Sequence, residues 1–186
     1  MDYNEQGIKA FKEKRYEDAA QAFTNAIEQS PENALGYVNF GNLLAAMNDI
    51  DLYYESERYT EAAKLYQKSI DYGIEGADAF FMLAKCFERE EQYKLALPFM
   101  QRAAEIEPND LQIRLSYGIL LCTLEMFEYA GEELQYVIDE DWNNADAHYN
   151  LGVLYAVWTQ DTEKAKYHLK QAFTLQPEFD QARYIY

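Results

Sequence analysis

The sequence carries one alanine-centred pattern five times, and this repetition constrains the fold more than any other feature. Successive alanines are separated by 43, 34, 34 and 35 residues, and each is followed four positions later by a large aromatic or apolar residue. A glycine or alanine stands about a dozen positions before most of them. The five alanines are Ala19, Ala62, Ala96, Ala130 and Ala165. A period of 20 to 50 residues is typical of a chain built from stacked structural repeats.

Each period contains two amphipathic segments, which predict two helices joined by a short turn. In the third period these segments are residues 78–90 and 93–106,. Small residues on both helices allow a close approach of the backbones, and the large residues fill the space between neighbouring helices. Because one helix pair cannot bury its own apolar face, the pairs must stack around a continuous core. The sequence therefore predicts an all-α repeat protein.

The last complete period carries the most regular version of the pattern. Its key residues are His148, Leu151, Gly152, Tyr155, Ala165, Leu169, Ala172 and Pro177. This arrangement resembles the tetratricopeptide repeat (TPR), and the resemblance extends over the whole chain. It implies a single domain, folded as a right-handed superhelical solenoid of five helix–turn–helix units plus a partial sixth helix. The implied repeats are 1–33, 34–76, 77–110, 111–144 and 145–179, and residues 180–186 start a sixth helix or form a cap.

The second repeat is nine residues longer than the standard period, because 43 residues rather than 34 separate its alanine from the preceding one. The extra residues fall near 48–58, between the two helices predicted for this repeat. One interpretation is a lengthened helix pair or a tolerated surface insertion, since loop length costs little stability. The other is a contact element, because Tyr53, Tyr54 and their neighbours make the segment more apolar than an ordinary loop,.

The charge balance argues against nucleic acid and membrane partners. The 186 residues include 33 Asp and Glu but only 16 Lys and Arg, which gives a net charge of −17. Binding to nucleic acid or to an anionic membrane needs clustered cations. The N-terminal residues lack the basic and apolar segments of a signal peptide, and the two cysteines form neither a disulfide framework nor a metal-binding spacing. We therefore expect a cytoplasmic protein.

The sequence contains no arrangement of residues that predicts catalysis. His148 falls where the repeat usually holds a packing aromatic, and we interpret it as a satisfied or merely partly buried histidine. Cys86 and Cys122 lie on predicted helices of different repeats and are interpreted as small buried hydrophobes,. The glycines occur singly, so the sequence holds no phosphate-binding loop. We expect no enzyme activity, no cofactor and no metal site.

In the TPR family the first helices of successive repeats line a concave groove that binds peptide segments. The resemblance implies that this chain is a non-catalytic adaptor or scaffold of the same kind, with peptide-binding residues in every repeat. The implied residues are Asn4, Ile8, Val38, Asn39, Asn42, Phe81, Lys85, Leu115, Ile119, Tyr149, Asn150 and Val153. Asn39 and Asn150 share the sixth position, where an amide can donate to and accept from a peptide backbone. The alternative role for these two residues is a local helix contact.

The predicted partner is a protein or peptide segment of apolar or mildly basic character. A carboxylate clamp, with which some family members hold the tail of a chaperone, is not expected, because its five positions give one match and no cation in either register. Between Glu105 and Asp146 there are 11 acidic residues and one cation, Arg114. This stretch is interpreted either as a solvated surface or as a landing site for a basic segment.

Two further functions stay open at this point. One is a self-assembling structural module, which would form homo-oligomers through the 48–58 insertion or the open C-terminal edge. The other is an accessory subunit that acts through the same surfaces on an enzyme partner.

Overall fold

In the computed structural model, residues 2–48 and 55–177 are described, and they form helices and turns with no strand. The prediction of an all-α fold is therefore confirmed. The chain divides into two compact units, unit 1 (Met1–Ile106) and unit 2 (Glu107–Tyr186). Within the described residues, no helix is long and apolar enough to cross a membrane.

Unit 1 holds three helix pairs, and unit 2 holds two pairs and a π-helical turn among the residues described. In unit 1 the helices are α1 (Tyr3–Lys12), α2 (Tyr16–Gln29), α3 (Ala34–Asn48), α4 (Glu55–Asp71), α5 (Ala77–Arg89) and α6 (Tyr93–Ile106). In unit 2 they are α7 (Leu111–Thr123), α8 (Phe127–Glu140), α9 (Ala145–Leu154) and α10 (Thr162–Leu175), with the π turn at Tyr155–Thr159. Each helix packs most extensively on the other member of its pair.

The small residue of each first helix explains the spacing found in the sequence. An added Cβ at Gly7 would lie 2.3 Å from Cε1 of Phe23, and one at Gly152 would lie 2.8 Å from Cγ of Leu169. Phe23 and Leu169 are the large residues four positions after the repeated alanines, and each is only 1% exposed. The five repeated alanines are all buried as well. The pattern therefore records the places where the two helices of a pair touch.

A left-handed residue sets the turn between the helices of four pairs. Its φ lies between 55° and 59°, and it comes five positions before the repeated alanine. The four residues are Lys14, Glu91, Glu125 and Gln160. Such a residue commonly terminates a helix by reversing the backbone direction. The same local geometry thus opens the second helix in four of the five repeats.

The pair α3–α4 differs from the others where the sequence has extra residues. The helix α4 begins at Glu55, four residues before Tyr59, where the repeat pattern resumes. Part of the insertion therefore adds about one turn to this helix. Residues 49–54, with the predicted contact residues Tyr53 and Tyr54, lie outside the described residues, and so does the predicted sixth helix at 180–186. Functions through those segments stay predictions.

The π-helical turn absorbs one additional residue in the last repeat. Gln160 comes eight positions after Gly152, whereas Glu125 comes seven positions after Gly118. A single extra residue within a helix is commonly accommodated as one π turn, and such turns are frequent at functional sites. The 35-residue spacing between Ala130 and Ala165 is the sequence signal of this feature. As a result, Val157 and Trp158 are exposed at 62% and 48%.

Candidate peptide-binding face

In unit 1 the predicted peptide-binding residues form two polar contacts between side chains. Nδ2 of Asn39 donates a hydrogen bond to Oδ1 of Asn4, at 3.3 Å. Oδ1 of Asn42 accepts a hydrogen bond of 2.7 Å from the hydroxyl of Tyr66, which is fully buried. Burial also raises the pKa of Tyr66 far above its usual value, so that this hydroxyl remains a donor. Asn42 therefore has a structural role in pairing α3 with α4.

Burial separates the predicted residues of unit 1 into two groups. Asn4 and Val38 are each 8% exposed and pack inside the unit. The other five predicted residues are partly exposed: Ile8, Asn39, Asn42, Phe81 and Lys85. Lys85 forms an ion pair with Glu88, one helical turn further along α5. A peptide that contacts unit 1 would thus meet Asn39, Phe81 and Ile8 more readily than Asn4 or Val38.

In unit 2 a pocket of about 260 Å³ brings together residues from two first helices. Asn150 and Val153 of α9 line it together with Cys122 of α7. The remaining lining residues are Thr123, Glu125, Phe127, Leu154 and Val157. Burial raises the pKa of the Cys122 thiol to about 11, so the sulfur is neutral at physiological pH. The lining is therefore mainly apolar, with the Asn150 amide as a polar group and Glu125 as a carboxylate.

The side-chain amide of Asn150 makes one hydrogen bond within its own helix. Its Nδ2 donates a hydrogen bond of 2.8 Å to the backbone carbonyl of Asp146, four residues earlier. Its Oδ1 has no hydrogen-bond donor among the described residues. One of the two Nδ2 hydrogens is thus used within the helix, and Oδ1 is the amide's open acceptor,. Leu115, Ile119 and Tyr149 are partly exposed on the same helices but do not line the pocket.

A buried histidine pair in unit 2 was not foreseen from the sequence. His148 of α9 is fully buried and His168 of α10 is 8% exposed, and their Nδ1 atoms are 3.0 Å apart. Nε2 of His148 lies 3.1 Å from the carbonyl oxygen of Trp142 and must donate to it,. Nδ1 of His148 is then an acceptor, and Nδ1 of His168 donates to it. This arrangement requires His148 to be neutral, and it forms with both rings neutral,.

The environment of the two histidines favours that neutral state. Burial lowers the pKa of His148. Burial, and then the positive charges that His148 and Lys164 can carry, lower the pKa of His168 to about 4. Trp142 packs edge-on against His148 with ring centroids 4.8 Å apart, and Tyr155 stacks on His168 at 5.6 Å. The interpretation of His148 as a satisfied buried residue agrees with this packing.

Metal-ligating side chains do not cluster in the part of the chain that the structure describes. Within residues 2–48 and 55–177, no group of three or more His, Cys, Asp and Glu residues could hold a metal ion.

A tetratricopeptide repeat model matches residues 47–110 of this chain. A solved structure of YrrB is 31% identical and covers 97% of this chain and 88% of that chain, with a TM-score of 0.86. The chain therefore belongs to the tetratricopeptide repeat family. YrrB is described as a TPR protein with an unusual peptide-binding site. A structure of MamA protein is 16% identical, covers 98% of this chain and 93% of that chain with a TM-score of 0.80, and shows the same fold.

Two curated proteins are also similar to this chain. TPR repeat-containing protein YrrB of Bacillus subtilis is 53% identical over 36 residues, which is 19% of this chain. Protein O-mannosyl-transferase TMTC3 of Homo sapiens is 26% identical over 174 residues, which is 91% of this chain. In both cases the match spans 18% of the relative's length.

Proposed function

We propose that this chain is a non-catalytic scaffold that binds a protein or peptide segment through the exposed faces of its first helices. The pocket of unit 2 carries the proposal, because Asn150, Val153 and Cys122 from two first helices line one cavity. Stacked repeats of this kind commonly offer such surfaces to extended partners. The peptide-binding site described for YrrB supports the same assignment.

The chemistry of the pocket favours an apolar residue within an extended segment. The apolar side chain would enter between Val153 and Phe127, which line the pocket with Leu154 and Val157. Oδ1 of Asn150 would accept a backbone N–H of the segment, since no described donor occupies it. Such main-chain hydrogen bonds contribute affinity, and the pocket makes binding specific for the side chain that fills it.

Asn39 offers an equivalent acceptor in unit 1. Its Nδ2 is bound to Asn4, so its Oδ1 is the atom left to receive a peptide N–H. Phe81 on α5 is partly exposed and supplies an apolar contact on the same unit. The proposed partner is thus an apolar or mildly basic segment that contacts the exposed faces of the first helices.

The state of the potential nucleophiles and bases supports a role without catalysis. Burial raises the pKa of the Cys86 thiol to about 12, and that of the Cys122 thiol is about 11. Both sulfurs are thiols at neutral pH, whereas a nucleophilic cysteine needs the thiolate. The two histidines face each other inside unit 2 and are buried away from the pocket surface.

Replacing Asn150 or Val153 by alanine should weaken peptide binding while leaving the fold intact. The Asn150→Ala change removes one acceptor, at a cost of about 0.5–1.5 kcal/mol. The Val153→Ala change removes two buried methyl groups, at a cost of about 1.6 kcal/mol if the peptide covers them. The probe is a fluorescent peptide selected on the whole chain from a random phage-displayed library, and its Kd is measured by anisotropy.

Two second-helix variants serve as matched controls for this experiment. Asn25 on α2 also bonds a residue four positions earlier, Gln21, and Leu95 on α6 is 54% exposed. Asn25→Ala and Leu95→Ala should bind like the wild type. If these controls weaken binding as much as Asn150→Ala and Val153→Ala do, with equal melting temperatures throughout, the first-helix assignment is wrong.

A further inference from the structure

A second groove of unit 2 lies between α8 and the π turn and shares no lining residue with the first-helix pocket. It measures about 550 Å³ and is lined by Glu128, Gly131, Glu132, Gln135, Tyr136, Asp139, Tyr155 and Trp158. The residues from α8 follow one another at helical spacing and therefore form one wall. Tyr155 and Trp158, from the π turn, form the aromatic wall opposite. The groove contains none of the residues assigned to the peptide-binding face.

Trp158 is the most exposed aromatic ring of this groove. It is 48% exposed, although it stacks on Phe127 with ring centroids 6.2 Å apart. The π turn that presents it exists only because this repeat has one residue more than its neighbours. An exposed tryptophan is the side chain most often found as an energetic anchor of a binding surface.

Each of the two tyrosine rings of the groove has a lysine or arginine side chain of this protein over its face. The guanidinium of Arg114 lies 4.7 Å from the ring centroid of Tyr136 and forms an ion pair of 2.6 Å with Glu133. The ammonium of Lys164 lies 5.1 Å from the ring of Tyr155. Each of these contacts joins a cation to an aromatic face, and each cation also pairs with a carboxylate, Glu133 for Arg114 and Asp161 for Lys164. No described lysine or arginine lies over Trp158, which is intrinsically the strongest partner for a cation,.

Two carboxylates of the groove have no ion-pair partner among the described residues. Glu128 and Glu132 are exposed and form no ion pair with a described residue. Between Glu105 and Asp146 the only cation is Arg114, and it is already paired. The groove therefore combines an indole ring that carries no described cation with two carboxylates that form no ion pair among the described residues.

We propose that this groove binds an arginine side chain of a basic protein segment, stacked on Trp158 and paired with Glu128 and Glu132. Arginine fits better than lysine because its planar guanidinium can stack on an indole and bond carboxylates with two parallel N–H groups. The Arg114 contact with Tyr136 and Glu133 is the chain's own example of the same chemistry. The site contains none of the residues assigned to the first-helix face, and it adds a second set of contacts for the partner.

The two tryptophans of the chain allow a direct test by NMR. Trp142 and Trp158 both belong to unit 2 and are 49% and 48% exposed. The probe is a capped peptide with two arginines separated by glycines, and its citrulline and lysine counterparts are the comparisons. We expect the arginine peptide to shift the indole N–H signal of Trp158 and to leave that of Trp142 in place. The neutral citrulline peptide should shift neither signal, and the lysine peptide should bind more weakly than the arginine peptide.

Charge-preserving and charge-matched variants separate this site from general attraction to an acidic protein. Trp158→Leu keeps the net charge and should weaken binding about three- to fivefold. The pair Glu128→Gln and Glu132→Gln should weaken it about tenfold at about 0.1 M salt. The matched pair is Glu140→Gln and Glu163→Gln, because Glu163 is in the first turn of α10 as Glu128 is in that of α8. This control should stay within about twofold of the wild type.

Several outcomes would overturn the proposal. Equal shifts of both tryptophans, or equal losses in the two glutamate pairs, would show diffuse attraction by the net charge. Equal binding of the citrulline peptide would show an apolar groove with no preference for a cation. Melting curves of every variant identify a loss that comes from unfolding, and the wild-type titration decides the question independently of the variants.

Discussion

Unit 2 should lose about 3 kcal/mol of unfolding free energy through His168 as the pH falls from 7 to 4. The pKa of this residue is about 4 in the folded protein and about 6.5 in the unfolded chain,. Between about pH 6.5 and pH 4, His168 is therefore mostly protonated in the unfolded chain and mostly neutral in the folded protein,. Stability is fully present above the unfolded pKa and is lost as the pH falls toward the folded one. His148, whose pKa is also lowered, adds to the loss in the same direction.

Replacing both histidines by leucine should remove this part of the acid sensitivity. The hydrogen bond between the rings loses both of its partners, which costs little at neutral pH, whereas the Trp142 carbonyl loses its donor at a cost that does not change with pH,. The measurement is chemical denaturation of the wild type and the His148→Leu, His168→Leu double variant at pH 7, 6, 5 and 4, read by circular dichroism. The difference between the two proteins should grow in favour of the variant as the pH falls. A constant difference across this range would show that neither histidine resists protonation in the folded state.

Gly152→Ala should destabilise the chain by a net of about 1 kcal/mol, although alanine is the better helix former. The new Cβ would lie 2.8 Å from Cγ of Leu169 and 3.0 Å from its backbone nitrogen. A side chain can rotate away from such a contact, but a backbone atom on α10 cannot, so the two helices must separate. Overpacking of this kind costs about 1–3 kcal/mol, which exceeds the gain of up to about 1 kcal/mol in helix propensity.

Gly131→Ala provides a control of opposite sign in the same unit. A Cβ at Gly131 meets nothing closer than Cδ1 of Leu154, at 3.9 Å. This change should stabilise the chain by up to about 1 kcal/mol, because only the helix propensity changes. Thermal melting of the two variants and the wild type gives both values. If Gly152→Ala melted at or above the wild-type temperature, close contact between α9 and α10 would not explain the glycine.

The repeat pattern was sufficient to predict the helical fold and many of its contacts. Repeated alanines and glycines lie where two helices cross. They recur at regular spacing in the sequence because each repeat has the same helix-packing geometry. Phe23 and Leu169 were predicted as packing residues for this reason, and both are buried. The lengthened start of α4 was one of the two interpretations of the extra residues in the second repeat.

The details of the sites depended on contacts that no periodic pattern records. The repeat position of Asn150 gave no sign that Asp146 would take its amide hydrogen, nor did that of Asn4 predict its burial beside Asn39. The histidine pair joins residues 20 positions apart, and the repeat pattern does not relate the two. The π turn had a signal, the 35-residue spacing, but a single extra residue fits many turn geometries.

The most direct test of the first-helix assignment is chemical-shift mapping of the complete chain with the selected peptide. The peptide-binding face is predicted to respond through the methyl groups of Val153 and the side-chain amide of Asn150. The residues around them on α7 and α9 should follow, and shifts should saturate together with the anisotropy signal. Saturation with shifts confined to the second helices, while Asn150 and Val153 stay unmoved, would contradict the proposed binding face.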